Sequence, residues 1–67
     1  MKVFVFIEDV GEVTIYASPV AWALHMQRER EIPTEVTEPI VARMSKRTAK
    51  PYSDECATFE WREVLEG

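Results

Sequence analysis

Hydrophobic and polar positions divide this chain into segments of different period, and each period predicts an element. From Lys2 to Glu8 the residues Val3, Phe4, Val5, Phe6 and Ile7 form an unbroken apolar run. β-Branched and aromatic side chains suit a pleated surface, and so short a run without alternation predicts a strand buried on both faces. From Glu12 to Ala17 the pattern alternates, with Val13, Ile15 and Ala17 set against Thr14 and Tyr16. That is the period of a half-buried strand. Between the two lies Asp9–Val10–Gly11, which predicts a three-residue hairpin loop whose last, left-handed position falls on the glycine. The register follows: Glu8 faces Glu12, Ile7 faces Val13, Val5 faces Ile15, and Phe4 lies across from Tyr16. One sheet face then carries Val3, Val5, Ile7, Val13, Ile15 and Ala17. The other carries Phe4, Phe6, Thr14 and Tyr16, with Glu8 and Glu12 at its rim.

Ser18–Pro19 predicts a helix start, because serine caps well and proline suits the first helical position, where its missing N–H costs nothing. The helix should run from Val20 to about Arg30, with Val20, Ala23, Leu24 and Gln27 on one face and Trp22 and Met26 on a neighbouring stripe. Trp22 and Met26 are expected in core or helix–helix packing, and so is Trp61. After a loop from Ile32 to Glu38, Thr37 or Glu38 should cap a second helix with Pro39 in its first turn. Ile40, Val41, Met44 and Thr48 would form its apolar side, and Pro51 would stop it. The segment from Ser53 onward reads two ways. As a helix, Ser53 caps it and Ala57, Trp61, Val64 and Leu65 align; as a strand, Phe59 and Trp61 alternate with Thr58, Glu60 and Arg62. The strand reading is preferred, because a lone hairpin is marginal in water and the doubly apolar first strand needs a neighbour on each side. The predicted architecture is an α+β domain over residues 1–67, ordered ββααβ. It is a three-stranded antiparallel sheet with two helices packed on one face, the aliphatic one.

Length changes this picture only by narrowing it. A chain of 67 residues buries only about 60% of the surface its unfolded form exposes, so it has one small core and little surplus for strain. Cys56 is the one cysteine and His25 the one histidine, so neither an internal disulfide nor a thiolate metal cluster can form. No metal or cofactor is expected. The balance of 8 Lys+Arg against 12 Asp+Glu gives a net charge of −4, which disfavours direct binding to nucleic acid and favours a partner with a basic surface. The apolar run Val3–Ile7 is shorter than a membrane span or a signal-peptide core. A cytoplasmic protein with no membrane contact is the expectation.

Two helices covering the aliphatic face would leave Phe4, Phe6 and Tyr16 open. An aromatic patch rimmed by Glu8, Asp9 and Glu12 has the composition of a protein-docking surface, and these residues are the expected partner-binding site. A homodimer through the open sheet face is a further alternative. Arg43, Lys46, Arg47 and Lys50 recur at helical spacing and form the alternative site, one basic helix face tracking phosphates. Catalytic residues are not expected: His25 has no serine or carboxylate at motif spacing, the chain has no phosphate-binding glycine loop, and a Cys56–His25 pair could arise only through the fold.

The pieces MKVFVFIED, GEVTIYASPVAWALHMQRE and ATFEWREVLEG, taken together, resemble the layout of short proteins encoded by bacteriophages and other mobile elements. Those with known roles are often small acidic inhibitors of a host protein, anti-CRISPR and anti-restriction proteins among them. The resemblance implies a non-catalytic inhibitor that blocks a nucleic-acid-handling host protein in the host cytoplasm. The cluster Arg43–Lys50 departs from the uniformly acidic surface of a DNA mimic.

Overall fold

A computed structural model describes residues 1–64. Strand β1 spans Lys2–Glu8 and β2 spans Val13–Tyr16, and they pair antiparallel in the predicted register, Phe4 with Tyr16, Val5 with Ile15 and Ile7 with Val13. Gly11 takes φ +91°. Its N–H donates to the Glu8 carbonyl at 2.8 Å, and the Glu8 N–H donates to the Glu12 carbonyl at 2.8 Å. This closes a three-residue loop with a glycine in the conformation that a Cβ penalises.

Helix α1, Pro19–Glu29, begins as its sequence requires: the Ser18 hydroxyl accepts from the Ala21 N–H at 3.1 Å, and Pro19 occupies the first turn. Helix α2 spans Thr34–Arg43 with Pro33 as its N-cap, four residues ahead of Thr37, the earlier of the two predicted caps. Thr37, expected at the start of the helix, is instead buried inside it. Its hydroxyl accepts from Gln27 Nε2 at 3.0 Å and reaches the Thr34 carbonyl at 3.3 Å, tying α1 to α2. Pro39 therefore lies inside the helix, on its exposed side.

The closing segment is a strand. It is β4, Ala57–Glu63, and it pairs antiparallel with β1 from Lys2–Glu63 to Glu8–Ala57. Leu65, which the helical alternative placed on its apolar side, lies outside the described residues. A two-residue strand, β3 (Tyr52–Ser53), pairs with the outer side of β4. The sheet thus has four strands in the order β2-β1-β4-β3, one more than expected. The class is α+β, with both helices on one face and β1 central.

The covered face is the reverse of the expected one. Phe4 and Phe6 are buried beneath the helices with Trp22, Ala23, Met26, Ile40, Met44, Ala57 and Phe59. Antiparallel register gives the reason. Phe4 pairs with Trp61 and Phe6 with Phe59, so β4 adds its rings to the aromatic face, while Val3, Val5 and Ile7 meet Arg62, Glu60 and Thr58. The aromatic face carries a ring on every strand, Tyr16 on β2 and Tyr52 on β3 included, whereas the aliphatic face turns polar at β4. Burial follows the larger apolar area. Helix α1 turns accordingly, facing the sheet with Trp22, Ala23 and Met26 and leaving Val20 and Leu24 exposed.

Candidate functional site: the open sheet face and its outer edge

Covering the aromatic face removes the surface that the sequence offered to a partner. Phe4 is 0% and Phe6 5% exposed, so neither can touch another molecule. Tyr16 is half-buried, packed against the core, and its hydroxyl lies 2.7 Å from His25 Nδ1. With the imidazole proton on Nε2, the phenol donates in that bond. The aromatic side chains expected to bind are structural.

The acidic rim divides as well. Arg30, at the end of α1, grips Glu8 with both guanidinium nitrogens, Nη1 to Oε1 and Nη2 to Oε2, the second at 3.1 Å. Asp9 and Glu12 remain exposed at the hairpin tip. The hydrogen bonds from Arg30 hold the Glu8 carboxyl below its ordinary value of 4.5. A depressed folded-state value adds stability above the unfolded value, and that stability is lost as pH falls through the folded one. Wild type should therefore melt above Glu8→Gln at neutral pH, and the two melting curves should converge well below pH 4.5. Arg30 is solvent-exposed, so the difference will be small. Identical melting temperatures across the whole range would remove the pair as a stabilising contact.

The basic run does not form one helix face. Helix α2 ends at Arg43, with Met44 as its C-cap, and a turn follows in which the Ala49 N–H donates to the Lys46 carbonyl at 2.9 Å. Arg43 lies 4.4 Å over the Tyr52 ring and Arg47 5.9 Å from that of Trp61, so both guanidinium groups pack on the sheet's aromatic side chains. Lys46 and Lys50 project into solvent from the loop. The expected phosphate-tracking stripe is not assembled.

What the fold leaves open is the aliphatic face. Val13 is 55% and Ile15 63% exposed, with Val3 and Ile7 half-buried beside them. Glu60 and Arg62 form an ion pair on the β4 side of this face. Val5 alone is fully buried there, at the centre of the sheet between its cross-strand neighbours Ile15 and Glu60. The result is an apolar strip along β1 and β2, bounded by the Glu60–Arg62 pair on one side and by Asp9 at the hairpin end.

Two hollows lie on the helix side. One, of about 220 Å³, opens between the helix ends and the sheet, with Met26, Ile32 and Ala57 among its apolar walls and Glu8, Arg30 and Cys56 also lining it. The other, of about 180 Å³, is a shallow groove between α1 and α2 lined by Val20, Leu24 and Val41. Trp22 has a buried indole N–H with no acceptor among the described residues, and its ring meets Phe59 edge-to-face at 4.9 Å.

His25 and Cys56 stay apart. His25 is engaged by Tyr16, at the β2 residue paired with Phe4. Cys56 sits at the other end of β1, where its carbonyl accepts from the Asp9 N–H. Among the described residues no group of three or more His, Cys, Asp or Glu could hold a metal ion, and no helix is long and apolar enough to cross a membrane. Comparison with family models, with curated proteins and with solved structures returned no match.

Proposed function

We propose that this chain is a non-catalytic protein-binding module whose working surface is the open aliphatic face of the sheet. The exposure of Val13 and Ile15 on adjacent outward positions of β2 carries the reading. A domain with so small a core gains from burying every large aliphatic side chain it has, and these are left to solvent on a flat, regular surface. A mixed apolar centre with a charged rim is the anatomy of a transient protein interface. The exposed Asp9 at one end, and the net charge of −4, select a partner whose complementary surface is basic around an apolar centre. Taken with the resemblance to phage-encoded inhibitors, the partner class is a host protein that handles nucleic acid, blocked by steric exclusion.

The test uses the exposed residues, which can be changed without opening the core. Wild type and a Val13→Glu/Ile15→Lys variant, both checked for native circular dichroism, are used as bait in nuclease-treated bacterial lysate. A protein retained by wild type at high salt should be retained at least about tenfold less by the variant, the loss expected when central apolar contacts are replaced by desolvated charge. Equal retention by both baits would show that the open face is not the docking surface.

A further inference from the structure

The two edges of the sheet are not equivalent. Hydrogen bonds in an antiparallel ladder alternate, so each residue addresses one neighbouring strand only. The Glu8 N–H bonds across to Glu12, while the Asp9 N–H bonds to Cys56 on the β4 side. Even-numbered residues of β1 therefore address β2, and odd-numbered ones address β4. On β2, Thr14 and Tyr16 answer Phe6 and Phe4, which leaves Val13 and Ile15 with their backbone N–H and C=O directed away from the sheet. At the opposite edge the Asp54 N–H bonds to Ala57. Tyr52 therefore addresses Phe59, and the outward residues are Ser53 and Pro51, of which the proline has no donor. That edge is blunted by its two-residue length and by Pro51, two ordinary guards against strand addition. The β2 edge has neither guard. It carries no proline, lysine or bulge within Val13–Tyr16, and its side chains are β-branched or aromatic.

We infer that the β2 edge pairs antiparallel with β2 of a second copy of this chain, about a twofold axis at Thr14. In that register Val13 of each copy lies opposite Ile15 of the other, and every outward donor and acceptor of Val13 and Ile15 is satisfied across the axis. The exposed side chains of these residues then form one apolar cluster on the shared open face. Charge decides in favour of a second copy. Glu12 falls opposite Tyr16, not opposite another acid, and the two acidic tips lie at opposite ends of the ladder. Each tip is brought alongside residues 17–19 of the other copy, where α1 begins. That helix has no acidic residue in its first turn, so its positive end is free to receive Asp9 and Glu12. The pairing is isologous and closes on itself. It goes beyond the docking reading, since it uses the edge of the sheet and would widen the open face without occupying it.

The experiment is sedimentation equilibrium combined with amide exchange, on the whole chain, from about 10 μM to about 1 mM, the range in which a short edge pairing should be half-formed. Mass should rise towards twice that of the monomer. Exchange of the Val13 and Ile15 amides should slow several-fold with concentration, while the Thr14 and Tyr16 amides, already bonded to β1, should not change. Val13→Pro removes one outward donor and no bond to β1, and Ile15→Lys places a charge at the apolar cluster. Each variant should remain monomeric at the highest concentration. A monomer throughout would overturn the pairing, and so would a dimer whose Val13 and Ile15 amides exchange as fast as in the monomer. Neither result bears on retention of a foreign protein by the open face, which the bait comparison reads separately.

Discussion

Phe59→Ala should remove essentially all of the domain's net stability, leaving it about half unfolded at room temperature. Phe59 is 2% exposed and is the ring on which the core converges: it stacks with Phe6 at 5.3 Å, Phe4 at 6.1 Å and Tyr52 at 6.1 Å, and meets Trp22 edge-on at 4.9 Å. Truncating a buried phenylalanine costs about 3–5 kcal/mol, part transfer and part cavity. A single core in a chain of this size supplies about 3–5 kcal/mol in all. Cost and supply are equal, so the net stability falls to about zero and the folded population to about half. Urea titration by circular dichroism checks this, with Phe59→Leu as the companion that keeps most of the volume and should remain folded with a lowered midpoint. A Phe59→Ala protein that keeps a cooperative transition within about 1 kcal/mol of wild type would mean that the core does not depend on β4.

The same rings show how far the sequence could be read. The hairpin register was legible because loop length and a glycine at a left-handed position leave one alignment, and the β4 alternation was legible from Phe59 and Trp61 against Thr58, Glu60 and Arg62. Which face the helices cover was also written there, but only in the product of the two. With Glu8 opposite Ala57, even positions of β1 meet odd positions of β4, which puts Phe4, Phe6, Phe59 and Trp61 on one side. Judged on the hairpin alone, the Val/Ile side looks like the interior. Judged on three strands, it cannot be. The error in the partner site follows from that single step, since Phe4 and Phe6 change from surface to core when β4 is added. Val13 and Ile15 lie on the aliphatic side, as the hairpin register requires; what differs is that the helices cover the other side.

Other features were less accessible to pattern reading. Arg30 stands at the predicted end of the first helix, and nothing local in the sequence says that it turns back to Glu8. β3 is two residues long and carries no strand signal of its own; it exists because Asp54 Oδ1 accepts from the Cys56 and Ala57 N–H groups at 2.7 and 2.8 Å and folds the chain back on β4. An Asx turn before an alternating segment is a signal that could have found it. Arg43, Lys46, Arg47 and Lys50 suggested a helix face because their spacing fits one, but spacing does not create a helix beyond the point where the packing face runs out.

That point is Met44, and Met44→Ala should lower stability by about 2–4 kcal/mol, the usual cost of cutting a fully buried methionine back to a methyl. The residue is 0% exposed and sits where α2 ends, its N–H donating to the Ile40 carbonyl at 2.9 Å and its own carbonyl accepting from Trp61 Nε1 at 2.9 Å. Alanine keeps both backbone bonds and favours helix more than methionine does, so the loss isolates side-chain burial. Next to it, Lys46→Ala and Lys50→Ala should change stability by less than about 0.5 kcal/mol, as exposed loop residues do. Were the segment a continuous amphipathic helix carrying a basic face, Thr48 would be buried on its apolar side, but it is exposed. Denaturant midpoints of the three variants decide between the two descriptions. A Met44→Ala cost as small as that of the lysines would mean the anchor is absent and the 43–50 segment is free to take another form, while the expected large gap fixes the end of α2 at Arg43 and leaves Lys46, Arg47 and Lys50 on the segment that follows. Arg43 and Arg47 pack on aromatic rings, which spreads the positive charge over the helix-side surface. The open aliphatic face then has the exposed Asp9 at one end and Arg62 at its β4 side.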